Sequence, residues 1–341
     1  MITKSEAFRA AANKINRGEL GPEFFTLGIS TSALFDMRTA NEILRTEGEA
    51  NYKAHMNTEE PLGAGAALYF VNKLLHLNQT GKILVNMKIV SHNHPFAAQR
   101  IHHSMVHHGL TFKDRPGMRQ GLGEVYTSGK PVTPTLLKNF GVDLFLSNHE
   151  TEVKNALQAG QAAGLVVAEP PAYAPSPDLN TIRFSFDFDR VWGLRYGKPG
   201  DEDAHLDGDD YYKQYGLWKY KERELGLPSH PAEPGPLAKF AMQANQLRHY
   251  LRTNPEEGAN VEIGLVTANT GVVLHRTANT LREWDIEPDY MMGVGGVALK
   301  GPHLAEWGAD IFFDDSSRHV ESARPYTLAV LVPHVTREPT P

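Results

Sequence analysis

The sequence predicts a three-layer α/β protein built on a doubly wound, mainly parallel sheet. Three observations point there. Short β-rich runs alternate with helical patterns along most of the chain, the rhythm of strand–helix–strand units. Several runs, among them LVVAE, IGLVT and LAVLVP, are apolar on both faces, as strands are when helices cover both sides of a sheet. Polar residues able to do chemistry recur just past the strands of the second half, where open parallel sheets place their ligands.

Strands are expected at 25–30, 83–91, 143–147, 164–169, 181–189, 261–267, 290–295, 310–314 and 327–333. Helices fit between them at 95–108, 151–159, 236–252 and 270–284. The first begins on Pro95 and stops before Gly109, a normal pair of start and stop signals; the second stops before Gly160. The stretch PPAYAPSP at 170–177 reads as a linker. It divides the chain into an N-terminal α/β half, 1–177, and a second half, 178–341. Within the second half, an acidic run at 200–210 precedes the aromatic YYKQYGLWKY. Both fall between strands, so about 195–234 reads as an inserted small cap. A cap that excludes water from a reaction centre has a mechanistic use.

Composition narrows the function. A chain of 341 residues suits one large domain or two smaller ones. A net charge of −6 speaks against non-specific nucleic-acid binding, which needs a basic surface. With no cysteine, disulfides, thiolate nucleophiles and Cys-ligated zinc are excluded. The opening MITKSEAFRAAANK lacks the apolar core of a signal peptide, and no apolar run reaches the ~18–20 residues of a membrane span. The expectation is a cytoplasmic protein with a small-molecule partner, with neither nucleic acid nor membrane, and with self-association left open.

The chain also echoes itself. GVDLFLSN at 141–148 resembles GADIFFDD at 308–315, and at the same offset Val153 and Ala156 match Val320 and Ala323. IVSHN at 89–93 resembles LVTAN at 265–269, and ISTSALF at 29–35 stands where FDFDRVW stands at 186–192. Four blocks in the same order suggest a duplication whose N-terminal copy has lost its acids. The rival reading is the ordinary similarity of apolar α/β strands.

The second half carries the chemistry. Asp187 and Asp189 end one strand, Thr267 the next, Lys300 follows the third, and Asp314 and Asp315 end the fourth. Adjacent strands would aim these groups at one crevice. A carboxylate can attack a phosphoryl group, and Asp187 is the expected nucleophile. Its attack on a dianion is repulsive, so a hard cation is needed. Oxygen ligands from Asp187, Asp189 and Asp314 or Asp315 suit Mg²⁺. Asp189 could protonate the leaving oxygen and later activate water. Thr267 could hydrogen-bond the moving phosphoryl group, and Lys300 could supply fixed positive charge.

The segments FDFDRV, LVTANT, VALKGP and IFFDDSSRHV resemble, in order, the four motifs of haloacid-dehalogenase-like phosphatases. Within that superfamily the chain is similar to cytosolic type I 5′-nucleotidases. The likeness extends over ISTSALFDM, IVSHNHPFAAQR, FGVDLFLSNHETEVKNALQAGQAAGLVV, PGPLAKF, LREWDIEPDYMMGVGG and LKGPHLAEWGADIFFDD. The resemblance implies Mg²⁺-dependent hydrolysis of nucleoside 5′-monophosphates. It supports Asp187 as nucleophile, Asp189 as acid and base, Thr267 and Lys300 as phosphate contacts, and Asp314 or Asp315 as metal ligand. The N-terminal half is then expected to supply nucleoside contacts from Ser30, Ser32, Asn93, Gly129 and Lys130, joined by Asn269. Two alternatives stay open: another small phosphomonoester such as a sugar phosphate as substrate, and a nucleotide sensor without turnover.

Three decoys compete. Gly293-x-Gly295-x-x-Ala298, with Asp314 beyond it, fits a dinucleotide fingerprint, but Gly301 and Pro302 interrupt the helix that fingerprint requires. His92, His94, His102, His103, His107 and His108 invite a metal site, yet no carboxylate ligand stands nearby, and a solvated helix explains them. The acidic run at 201–210 fails as an EF-hand because His205 and Gln214 occupy ligand positions.

Overall fold

The computed structural model of the chain describes residues 24–80, 82–110, 123–167, 169–296 and 298–335. The opening stretch 1–14, read above for a leader, lies outside them. The strands are β1 (Phe25–Ile29), β2 (Val85–Ser91), β3 (Gly123–Tyr126), β4 (Leu144–Ser147), β5 (Ala162–Val166), β6 (Thr181–Phe186), β7 (Gly193–Leu194), β8 (Glu233–Pro234), β9 (Asn260–Thr267), β10 (Tyr290–Gly293), β11 (Ile311–Asp314) and β12 (Leu328–Leu331). Ten form one sheet in the order β10-β9-β6-β11-β12-β5-β4-β1-β2-β3, and β7 and β8 form a separate ribbon. Every strand read from the sequence is present. The edge strand β3 was not read, because its GEVY is only half-buried and shows no apolar run.

The helices are α1 (Thr31–Leu34), α2 (Arg38–Glu47), α3 (Glu49–Met56), α4 (Leu68–His76), α5 (Ala98–His107), α6 (Pro134–Asn139), α7 (Glu150–Gln158), α8 (Gly208–Leu225), α9 (Ala238–Thr253), α10 (Val272–Glu283), α11 (Gly301–Trp307) and α12 (Ser317–Ala323). The four expected helices correspond to α5 with the 3₁₀ turn before it, α7, α9 and α10. α2 and α3 bury only Ala40, Tyr52 and Met56, so no apolar stripe marks them. α4 buries six of its nine side chains, Lys73 among them, which blurs its period.

Within the sheet all neighbours are parallel except β5 and β12, where Val166 faces Val330 in antiparallel pairing. The sheet therefore consists of two five-stranded parallel groups that run in opposite directions. Each has the same internal order: β3-β2-β1-β4-β5 in the first group and β10-β9-β6-β11-β12 in the second. In each, the chain moves outward from its first strand, then returns to that strand's other side. That reversal is the switch point at which parallel sheets open a ligand crevice.

The seam is well filled. Phe25 of β1 meets Phe240 of α9 edge-on, with ring centroids 5.1 Å apart, and Phe184 of β6 packs against both. Lys73 of α4 reaches Asp310 across the halves at 2.7 Å, both side chains buried. The Pro-rich linker is packed as well, with the Tyr173 hydroxyl donating to the Ala66 carbonyl at 2.8 Å. The insertion leaves β6, forms the β7–β8 ribbon and carries α8, which is interrupted at Gly216. Its acidic run is not free in solvent. Asp207 caps α8 and forms a two-pronged pair with Arg190 at 2.9 Å, and Asp210 adds a third contact at 2.7 Å.

Candidate active site

β9, β6 and β11 are neighbours, so their C-terminal ends lie side by side. Asp187 follows β6 directly. Its N–H donates to the Phe313 carbonyl of β11 at 2.8 Å, and its Oδ1 accepts the Phe188 N–H at 2.7 Å. Asp314 ends β11, and its Oδ1 accepts the Ser316 N–H at 2.8 Å. Between the two carboxylates sits the ammonium of Lys300, fully buried, 2.9 Å from Asp187 Oδ2 and 2.7 Å from Asp314 Oδ2. Lys300 is placed there by the residue after it. A Cβ on Gly301 would lie 1.9 Å from the Ser322 carbonyl oxygen, so only glycine lets α11 start this close to α12. Thr267, fully buried at the end of β9, turns its hydroxyl to the Asn269 N–H at 3.3 Å.

Asp187, Asp314 and Asp315 each offer an oxygen, and the three oxygens lie within 4.8 Å of one another. One lysine cannot offset three clustered carboxylates, of which Asp187 and Asp314 are buried and Asp315 is half-buried. Burial pushes the pKa values of Asp187 and Asp314 up from the usual carboxylate range, with Lys300 opposing the shift in both. Asp315 has only the weaker opposing pull of Arg190. Burial, then repulsion from Asp187, Asp314 and Asp209, carries it up to about 8. A site with surplus negative charge and only oxygen donors fits a hard divalent cation. A second acidic trio, Asp207, Asp210 and His334, has its carboxylates already held by Arg190.

Asp189 stands apart from the trio, contrary to the expectation of a metal-ligating carboxylate. Its Oδ1 is 2.5 Å from Arg195 Nε, and its Oδ2 accepts from the Asn269 side-chain amide. Burial raises its pKa while Arg195 pulls the other way. Arg195 was not singled out in the sequence. It is fully buried, lies over the Phe188 ring and pairs onward with Glu224, which also holds Arg276 at 2.9 Å. This chain of ion pairs ties α8 of the insertion to the acid at the strand end. His319 was also missed; burial and then the nearby Lys300 charge push it down to about 4.

The structure does not bring the N-terminal candidates to this crevice. Ser30, Ser32, Asn93, Gly129 and Lys130 follow strands of the first group, which run opposite to β6, β9 and β11. They face the other end of the sheet. Asn269 alone of the expected nucleoside contacts stands beside the acids. The dinucleotide fingerprint lacks its setting, since α11 starts only at Gly301 and Asp314 is committed to Lys300. Among the described residues His102 pairs with Glu124 at 3.1 Å, and no group of the six histidines clusters as metal ligands.

Fold and site thus define an α/β protein with a carboxylate-lined crevice, cross-braced by one lysine, at the switch point of a parallel sheet. The chain matches the 5′-nucleotidase family over residues 21–339 and belongs to that family. It is 28% identical over 313 residues to human cytosolic 5′-nucleotidase 1B, a match covering 88% of this chain and 47% of that protein. The chain therefore spans about half the length of that curated relative. No solved structure shows significant similarity to it.

Proposed function

We propose that the chain hydrolyses nucleoside 5′-monophosphates to nucleoside and phosphate, with Mg²⁺, through an aspartyl-phosphate on Asp187. The observation that carries this reading is the buried Lys300 ammonium held between Asp187 and Asp314, in a chain of the 5′-nucleotidase family. Asp187, Asp314 and Asp315 would hold the cation. When bound it neutralises charge that these acids and a phosphate dianion would otherwise bring together.

The protein's own steps follow from the geometry. A carboxylate oxygen of Asp187 attacks phosphorus in line, and the bond from phosphorus to O5′ breaks. Asp189, whose pKa burial raises so that its protonated form is favoured, gives its proton to the leaving O5′. Arg195 and Asn269 fix the Asp189 carboxyl, and Arg195 stabilises the carboxylate that remains. Asp189 then takes a proton from water, which attacks phosphorus, releases phosphate and restores Asp187. Lys300 holds fixed positive charge beside the nucleophile, and the Thr267 hydroxyl orients the phosphoryl oxygens.

The same reading gives the second half a haloacid-dehalogenase-like three-layer arrangement, with 195–234 as its cap. Arg195 and α8 are then a lid frame attached to the acid–base residue. With the N-terminal strands opening elsewhere, nucleoside contacts fall to the insertion and to Asn269. A cytoplasmic setting goes with this proposal; among the described residues no helix is long and apolar enough to cross a membrane.

Phosphate release from a panel of nucleoside monophosphates and sugar phosphates tests it, with Mg²⁺ and with chelator, on the wild type and Asp187→Asn. Mg²⁺-dependent release from nucleotides, lost in the variant, is the expected result. Release confined to sugar phosphates would keep the chemistry and sink the substrate class. Nucleotide binding without release would make the chain a sensor.

A further inference from the structure

The crevice at the acids has a counterpart at the other end of the sheet. Ser30 follows β1 as Asp187 follows β6, and its N–H donates to Leu146 O at 2.9 Å just as Asp187 donates to Phe313 O. Asn93 N–H donates to Ser91 Oγ at 3.1 Å, as Asn269 donates to Thr267. His149 N–H donates to Ser147 Oγ at 3.2 Å, as Ser316 donates to Asp314. Thr133 precedes α6 as Lys300 precedes α11, and a left-handed glycine follows each helix, Gly308 directly after α11 and Gly141 one residue beyond the Phe140 cap of α6. Each backbone element of the acid site is therefore repeated, while its charged side chains are replaced by hydroxyls and an amide. Asp187, Asp189, Lys300, Asp314 and Asp315 correspond to Ser30, Ser32, Thr133, Ser147 and Asn148.

The repeated crevice is open. A cavity of about 650 Å³ lies there, bounded by Ser30, Ser32, Asn93 and His149 on the sheet side and by Leu44 and Tyr52 from α2 and α3. That volume falls within the range of small-molecule sites, about 300–1,000 Å³. Its walls mix flat rings with short polar groups. His92 and His149 stack 4.1 Å apart, and the Tyr52 hydroxyl donates to Asn93 Oδ1 at 2.9 Å. The described charged groups at the cavity are paired: Glu49 with Lys53, Arg45 with Glu42, and the His92 ring with the buried Glu152 carboxylate, each at 2.6 Å. Burial, then the neighbouring His92, lowers the basicity of His149 and so favours its neutral form. Among the described residues the lining offers no unpaired lysine or arginine and no group of metal-binding acids, so desolvating a phosphate dianion there is costly.

We propose that this N-terminal crevice is a second, non-catalytic site that binds an uncharged nucleoside. The site rests on the geometry; the choice of a nucleoside over another flat, hydroxylated heterocycle rests on the proposed nucleotidase reading, whose product is such a molecule. Base stacking would use the rings, and the sugar hydroxyls would exchange hydrogen bonds with Ser32, Asn93 and Asn148, whose amide already accepts from both Ser30 and Ser32.

Calorimetric titration of the full chain in chelator tests this, with adenosine, inosine, cytidine and thymidine, and with AMP and inorganic phosphate as charged probes. Asn93→Ala removes a polar contact. Leu44→Trp, at a position 44% exposed at the cavity mouth, blocks entry without touching the core. At least one nucleoside should bind at one equivalent per chain. Its affinity should fall at least about tenfold in both variants, and AMP should bind about tenfold or more weakly. Binding unchanged in Leu44→Trp would place the nucleoside at the acid site and overturn the proposal. So would AMP binding as tightly as its nucleoside, or no nucleoside binding. Failure of phosphate release with Mg²⁺ would instead sink the nucleotidase reading and leave the site standing if nucleosides still bind.

Discussion

The two halves differ in charge far more than in backbone. At the end of β6 and β11 three carboxylates and one lysine are driven together in a buried place. At the end of β1 and β4 the matching positions hold Ser30, Ser147 and Asn148; the Ser30 hydroxyl donates to the Asn148 amide oxygen and Ser147 Oγ accepts the His149 N–H. The same main-chain hydrogen bonds shape both crevices. The scaffold thus does not need the charges in order to fold. The acid site costs stability, because like charges are buried there, and the neutral site does not. The proposed chemistry sits where that cost is accepted.

The sharpest way to break the comparison is Asp187→Asn. A carboxamide keeps the shape and cannot attack phosphorus. Phosphate release should fall roughly 10⁴-fold or more, while the fold, which tolerates serine at the matching Ser30, should persist by circular dichroism. Residual turnover near wild type would assign the nucleophile elsewhere.

Lys300→Met should come next. Loss of fixed positive charge beside the reacting phosphoryl group should lower kcat about 10²–10³-fold. It also leaves Asp187 and Asp314 facing each other unopposed. Removing one partner of a buried pair costs about 3–5 kcal/mol, so denaturation in chelator should show a loss of that order. Mg²⁺ should restore part of it. A variant as stable as wild type in chelator would mean that the acids are protonated in the resting protein.

Much of this was legible in the sequence, and the illegible part has a physical cause. Apolar strands buried on both faces announce themselves, and so does a polar residue directly after one. That is how Asp187, Thr267, Lys300, Asp314 and Asp315 were found. The direction of one half against the other is not local information. It depends on Val166 and Leu165 pairing antiparallel with β12, and nothing in either strand's composition distinguishes that from parallel pairing. Ser30, Ser32, Asn93, Gly129 and Lys130 were consequently expected at the acid site and stand at the other end. Arg195 was illegible for a related reason. Its partners Asp189, Glu224 and Thr277 come from three separate segments.

The pH dependence sharpens the comparison from the acid side. The folded carboxyl of Asp315 titrates near 8, against an unfolded value near 4. The apo protein therefore holds a proton that the unfolded chain has released. Its stability in chelator should fall as pH rises from about 4 to about 8. Mg²⁺ must displace that proton, so its affinity should rise roughly tenfold per unit up to about pH 8 and then level off. Asp315→Asn should flatten both curves. Calorimetry at pH 6, 7 and 8 reads the affinity directly, and a flat wild-type profile would remove Asp315 from the metal site.

The smallest effect should come from the residue that stands where Lys300 stands. Thr133 caps α6 by accepting the Leu136 N–H at 3.2 Å, and it touches no charge. Thr133→Ala should cost about 1 kcal/mol, the ordinary worth of a helix cap, with no dependence on Mg²⁺. Lys300→Met, at the equivalent position, should cost several times more and respond to Mg²⁺. Chemical denaturation of the two variants side by side, with and without the cation, measures the difference. If the two losses were equal and equally insensitive to Mg²⁺, Lys300 would be a helix-start residue like its counterpart, and the acids around it would need another source of positive charge.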